Sequence, residues 1–200
     1  MQTLGRTSIA ILLLALAGCG DRSADGDRFV LDAGGRQVDP LTLLGPRGAV
    51  FLFTRTDCPI SNRYAPLVGR LDTEYSGEGI RFWLVYPDAN EGAPAIRHHR
   101  EQYAYPCGFL RDTEHHLVNM TGARITPEAA VYVPGADRPR LVYCGRIDDQ
   151  YVAFGQERPA PTRSDLREVL DAVATGQPPE FRRTEAVGCT IPAALPGDSS

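Results

Sequence analysis

The most constraining feature of this chain is the run Ala49-Val50-Phe51-Leu52-Phe53-Thr54, which carries no polar side chain before its last residue. A strand covered on one face alternates polar and apolar residues. An uninterrupted apolar run reads instead as a strand buried on both faces, inside a sheet layered with other elements. It stops at Arg55-Thr56-Asp57-Cys58-Pro59. A helix is expected next, because Pro59 suits the first helical position, where its missing N–H costs nothing. Ile60, Tyr64, Leu67, Val68, Leu71 and Tyr75 recur at helical spacing, Pro66 predicts a kink, and Gly77 and Gly79 end the pattern.

The rest of the chain keeps alternating. Residues 80–86 read as a second strand, 93–103 as a helix, Phe109-Leu110 as a short strand and 115–120 as a short helix. Residues 130–133 and 140–143 are two strands joined at Gly135-Ala136-Asp137. A last helix is capped by Thr162 or Ser164, carries Leu166, Val169, Leu170 and Val173 on one face, and ends at Gly176. Upstream, residues 29–32 and 37–39 form a hairpin around the turn Ala33-Gly34-Gly35-Arg36. Strands that alternate with helices require crossovers and parallel pairing, and the later strand pair adds an antiparallel one. The expected class is α/β: a central mixed β-sheet flanked by helices, with an N-terminal β-hairpin.

The amino terminus bears on the compartment. Arg6 precedes a short apolar run at residues 8–17, too short for a permanent bilayer span, which leads into Leu16-Ala17-Gly18-Cys19. Small residues before a cysteine resemble the bacterial lipobox, which implies cleavage before Cys19 and lipidation of that cysteine. The organisation expected is a signal peptide at 1–19, a flexible tether at 20–28, a domain at 29–176, and a proline-rich tail at 177–200 carrying Cys189. Within the tail, Val187-Gly188-Cys189-Thr190-Ile191 is too apolar to be only tail. A net charge of -4 over 200 residues gives no support for a nucleic-acid partner.

With the strand and kinked helix around Cys58-Pro59-Ile60-Ser61, and with Ile125-Thr126-Pro127 ahead of the strand at 130–133, the chain resembles the thioredoxin-like superfamily. The leading hairpin and the tail look most like envelope thiol-disulfide oxidoreductases and redoxins. The resemblance spans roughly residues 29–175 and implies that Pro127 follows a cis bond and lies against Cys58. It implies a substrate groove at Pro59, Ser61, Thr126 and Pro127, envelope protein thiols or disulfides as partners, and a periplasm-facing, lipid-anchored location. The chain departs from the related motifs at three places. Ser61 stands where thioredoxins carry a second cysteine. Phe51 and Arg55 stand where peroxiredoxins carry a proline and a hydroxyl residue. Asn62 stands where copper chaperones of this fold carry a cysteine.

Cys58 is therefore read as a single-cysteine site. A thiol at a helix amino terminus faces unpaired N–H groups and the positive end of the dipole, and both favour the thiolate. Such a thiolate attacks a disulfide or a small oxidant, and with a disulfide it holds the partner as a mixed disulfide, which Ser61 cannot resolve. Cys189 is the preferred resolving residue, while an idle or structural Cys189 and an inert, buried Cys58 stay open as alternatives. Cys107 and Cys144 could form a structural staple. No cofactor is expected on this reading. The alternatives are a copper or zinc module using Cys58, Cys189 and a histidine, or a non-catalytic binding domain. The pairs His98-His99 and His115-His116, and Asp148-Asp149, are read as solvated surface.

Overall fold

The computed structural model describes residues 28–194. The leader, the lipobox at Cys19 and nearly all of the tether thus lie outside the described residues. The hairpin comes first, as β1 (Val30–Leu31) and β2 (Gln37–Val38), and is followed by a 3-10 turn at Pro40–Leu43. Then come β3 (Gly48–Phe53), α1 (Pro59–Ser76), β4 (Ile80–Tyr86), α2 (Ala93–Gln102), β5 (Gly108–Arg111) and α3 (His116–Thr121). The second half holds β6 (Ile125–Thr126), β7 (Glu128–Val133), β8 (Arg140–Gly145), the small hairpin β9 (Tyr151–Ala153) and β10 (Gln156–Glu157), and α4 (Asp165–Ala174). Two short strands, β11 (Arg182–Arg183) and β12 (Cys189–Thr190), complete the described chain.

The main sheet runs in the order β11-β8-β7-β3-β4-β5-β1-β2. Strand β3 pairs parallel to β4 and antiparallel to β7, and β4 pairs parallel to β5. The sheet is mixed, as expected. All six residues of β3 are buried, and they alternate between two cores. Val50 and Leu52 face α1, α2 and α4, where they meet Val68, Leu71, Ile96, Leu166 and Leu170. Ala49, Phe51 and Phe53 face Leu117 and Val118 of α3, and the 3-10 turn covers the same side. The polar-free run is thus a strand with no solvent face.

The described part of the expected tail, residues 177–194, is more than a tail. Strand β11 lies parallel to β8 at the sheet edge, and β12 pairs antiparallel with β6. Two adjacent arginines fix β11, because neighbours on a strand point to opposite faces. Arg182 pairs with Asp165 and Glu168 at the start of α4, while Arg183 pairs with Glu128 and donates to the carbonyls of Thr121 and Gly122. Thr184 adds a hydroxyl bonded to Tyr143 and to the Arg146 amide. Charge pairing, which hydropathy patterning does not register, fastens this segment.

Several surface readings are corrected by burial. Asp148 and Asp149 are both 4% exposed. Asp148 accepts from the Tyr64 hydroxyl and the Gln150 amide, and Asp149 accepts from the Thr162 and Arg163 amides and the Thr162 hydroxyl. They staple the loop that leads into α4. His99 and His115 are likewise buried, while their neighbours His98 and His116 are more exposed, since adjacent residues point apart. Cys107 and Cys144 belong to opposite cores and are both free, so they make no staple.

Asp165 is 1% exposed and gathers Arg146, Arg163 and Arg182. Asp165→Ala removes the buried acceptor shared by three part-exposed arginines, so it is expected to lower unfolding stability by about 1.5–3 kcal/mol. Urea unfolding measures the loss, and faster amide exchange across β11 should accompany it.

Candidate functional site

Cys58 is the residue on which α1 begins. Its backbone is extended (φ -83°, ψ 107°), its carbonyl accepts the first helical bond from the Asn62 amide at 3.0 Å, and its sulfur accepts from the Ser61 amide at 3.5 Å. The thiol therefore fills the place of a capping oxygen. Pro59, exposed at the next position, has no N–H to offer, so the Ser61 amide is the donor within reach.

The opposite wall comes from the other half of the chain. The Thr126-Pro127 peptide is cis, as the resemblance implied, and the Cys58 thiol donates to the Thr126 carbonyl at 3.1 Å. Cys189 sits directly across from Thr126 in the β12–β6 pair, and the Thr126 hydroxyl donates to the Cys189 carbonyl at 3.3 Å. Gly188 lets this strand approach: a Cβ there would stand 2.0 Å from the Thr126 carbonyl oxygen. Cys58 and Cys189 thus both meet Thr126, each thiol influences the other's acidity, and Cys58 itself has no exposed surface. Pro127, Thr126 and Ser61 are buried as well, so β12 covers the groove expected there.

Burial alone would push the Cys58 thiol up. The nearby Cys189 thiol and Ser61 hydroxyl, the Ser61 amide and Thr126 outweigh it and hold the thiol below its ordinary value. The Ser61 hydroxyl is buried and makes no other hydrogen bond in the structure, nor one to Cys58. The same pair acts oppositely on Cys189, which burial and the Cys58 sulfur push up to about 12. Cys58 is thus the more acidic of the two thiols. Cys107 and Cys144 are both pushed up to about 12 by burial, which separates them from Cys58. Among the described residues, no three His, Cys, Asp or Glu side chains are grouped to hold a metal ion.

Sequence reasoning passed over the supports of this site. Glu128 accepts from the Arg124 and Ile125 amides and so fixes the loop that presents Thr126. Glu91, Asn62 and His99 hold the Cys58 loop from the other side. Glu128 opens the strand after Pro127, and Asn62 lies one residue past Ser61, which is the only hint their positions offer.

The topology and the cis proline opposite Cys58 define the class: the chain has the thioredoxin-like fold. No family model matches the sequence, and no curated protein matches it. Among solved structures it is similar to a hypothetical protein of Sinorhizobium meliloti, 23% identical with TM-score 0.66 over 82% of this chain and 88% of that one. An uncharacterised conserved protein of Geobacillus kaustophilus is 19% identical with TM-score 0.70, over 84% and 89%. A candidate thioredoxin of Neisseria meningitidis is 15% identical with TM-score 0.52, over 72% and 85%. Among the described residues, no helix is long and apolar enough to cross a membrane.

Two measurements test these electrostatics. Cys189 helps to hold the Cys58 thiol low, so Cys189→Ala should shift the pH profile of Cys58 alkylation upward, and Gly188→Ala, which pushes β12 off Thr126, should shift it the same way. The second concerns His99, held at about 4 by burial. The unfolded chain takes up this proton near 6.5 and the folded chain only near 4, so the contribution is complete above pH 6.5 and is lost as pH falls through that window. The loss should reach about 3 kcal/mol by pH 4 at 1.36 kcal/mol per pK unit. Urea midpoints in His99→Gln should lose that part of the acid slope.

Proposed function

We propose that this protein is a two-cysteine thiol-disulfide redox protein, with Cys58 the attacking thiolate and Cys189 the resolving thiol. The observation that carries this reading is the pairing of β12 with β6, which sets Cys189 across from Thr126, the residue whose carbonyl accepts from the Cys58 thiol. The thioredoxin-like fold and the Thr126-Pro127 wall support it. In the first step the Cys58 thiolate attacks one sulfur of a substrate disulfide, forming a Cys58 mixed disulfide and expelling the other substrate sulfur as a thiolate. Cys189 then gives up its proton and attacks the Cys58 sulfur. The Cys58–Cys189 bond forms, the second substrate thiol leaves, and the substrate gains two electrons while the protein is oxidised. An external dithiol reverses the protein to its reduced state. Run backwards, the same steps oxidise a substrate dithiol.

This chemistry uses two sulfurs of the chain itself and calls for no cofactor. The cysteine that the thioredoxin motif places at position 61 is replaced in role by one delivered from the far end of the chain. Envelope protein thiols or disulfides are the substrates proposed. A lipid anchor at Cys19 on the periplasmic side of a membrane is the location proposed, resting on the leader alone. The proposed organisation keeps the domain at 29–176, with the following segment docked on it to supply Cys189.

Mass mapping of the oxidised full chain tests the mechanism. A Cys58–Cys189 bridge is expected, with Cys107 and Cys144 still free. In Cys189→Ser, a small aromatic disulfide should leave a stable adduct on Cys58 and release only one thiol equivalent. Free Cys58 and Cys189 after oxidation would sink the pairing.

A further inference from the structure

The peptide of Thr56, two residues before the reactive sulfur, is gripped on both sides, by the buried Glu91 and the half-buried Asn62. Its N–H and its hydroxyl donate to the same oxygen of Glu91, at 2.6 and 2.7 Å. Its carbonyl accepts from the Asn62 side-chain amide at 3.2 Å. The Asn62 oxygen takes a 2.8 Å bond from His99 Nε2, and His99 Nδ1 takes a 2.9 Å bond from the Tyr86 hydroxyl. Neutral imidazole has one donor and one acceptor nitrogen, and this chain uses each once. Tyr103 and Tyr105 close around the ring at 4.9 and 5.7 Å, and the Tyr105 hydroxyl donates to the Ser61 carbonyl at 3.2 Å. The chain thus ties β4, α2, the first turn of α1 and the Cys58 loop into one unit.

Stability alone is a poor account of Glu91. The residue is 8% exposed, its second carboxylate oxygen is buried with no partner, and burial raises its carboxyl. An unpaired buried carboxylate oxygen is costly, and an apolar side chain would fill the space at lower cost. Glu91 does offer an acceptor strong enough to hold an amide and a hydroxyl together, at the end of the loop where a small shift would move Cys58 off Ser61, Thr126 and Cys189.

We infer that Glu91, Asn62 and His99 are positioning residues for Cys58, which clamp the Thr56 peptide so that the sulfur stays against the Ser61 amide and the Thr126 carbonyl. This rests on the redox reading above, since it assigns a role around the same sulfur. None of the three touches the reacting sulfur in the structure.

The test compares the full-length wild-type chain with Glu91→Ala, Glu91→Gln and Asn62→Ala, reading the rate of Cys58 alkylation by iodoacetamide against pH, with folding checked by circular dichroism. Glu91→Ala and Asn62→Ala should each react about tenfold more slowly at neutral pH, with the profile displaced upward by about one pK unit. Glu91→Gln, which keeps an acceptor oxygen toward Thr56, should stay within about twofold of wild type, and a merely structural role would not discriminate in this way. If Glu91→Ala does not fold, Asn62→Ala gives the reading from the other side of the same peptide. Folded Ala variants with wild-type profiles would overturn the inference, as would an equal loss in Gln and Ala at position 91. A wild-type Cys58 that is itself unreactive, with an ordinary profile, would instead overturn the redox reading.

Discussion

Everything at the site depends on how β3 is paired. Because β7 runs antiparallel to it, with Phe53 opposite Glu128, the end of β3 and the start of β7 lie at the same edge of the sheet. The loop leaving β3 carries Cys58, and the loop entering β7 carries Thr126-Pro127. Parallel pairing of β4 with β3 brings a third loop, with Glu91, to that edge. A sulfur, a carbonyl wall and a carboxylate from three distant stretches of chain meet because of strand direction. The two cores on either face of β3 hold that geometry rigid, since interiors packed at crystal-like density yield little to displacement.

On this scaffold the electrostatics of Cys58 are a contest between burial and hydrogen bonding. A fully buried thiol would ordinarily stay protonated, as Cys107 and Cys144 do. Cys58 departs from them because it alone stands at a helix start, where the Ser61 amide donates to its sulfur, and lies near the Cys189 and Ser61 side chains. Part of the tuning comes from Cys189, so the docking of β12 and the reactivity of Cys58 are linked. The cations of β11 matter to the site for the same reason: Arg182 and Arg183 fasten the segment that brings Cys189 in.

Much of the fold was legible because it rests on local signals. The strand at 80–86, the helix beginning at Pro59, the last helix with Leu166, Val169, Leu170 and Val173 inward, and the leading hairpin all follow from periodicity and turn residues. The hairpin of β9 and β10 was not seen, because its strands are short and mostly surface-lying and carry no apolar alternation. Asp148, Asp149 and His99 read as solvent-facing because polarity predicts exposure only on average. A polar side chain goes inside when the interior offers it partners, and those partners here lie far off in the sequence.

By itself the sequence determined an α/β chain with a doubly buried strand, a proline-started helix and a cysteine at their junction. These depend on side-chain size, periodicity and backbone freedom, which are properties of neighbouring residues. Only the tertiary structure decided that Cys189 lies across from Thr126 and beside Cys58, that Cys107 and Cys144 are kept apart by the sheet, and that Glu91, Asn62 and His99 hold the reactive loop. Those outcomes follow from strand pairing and burial between segments up to 131 residues apart, the separation of Cys58 and Cys189. No local pattern encodes them, because the free energy that selects them comes from contacts made only once the chain has closed on itself.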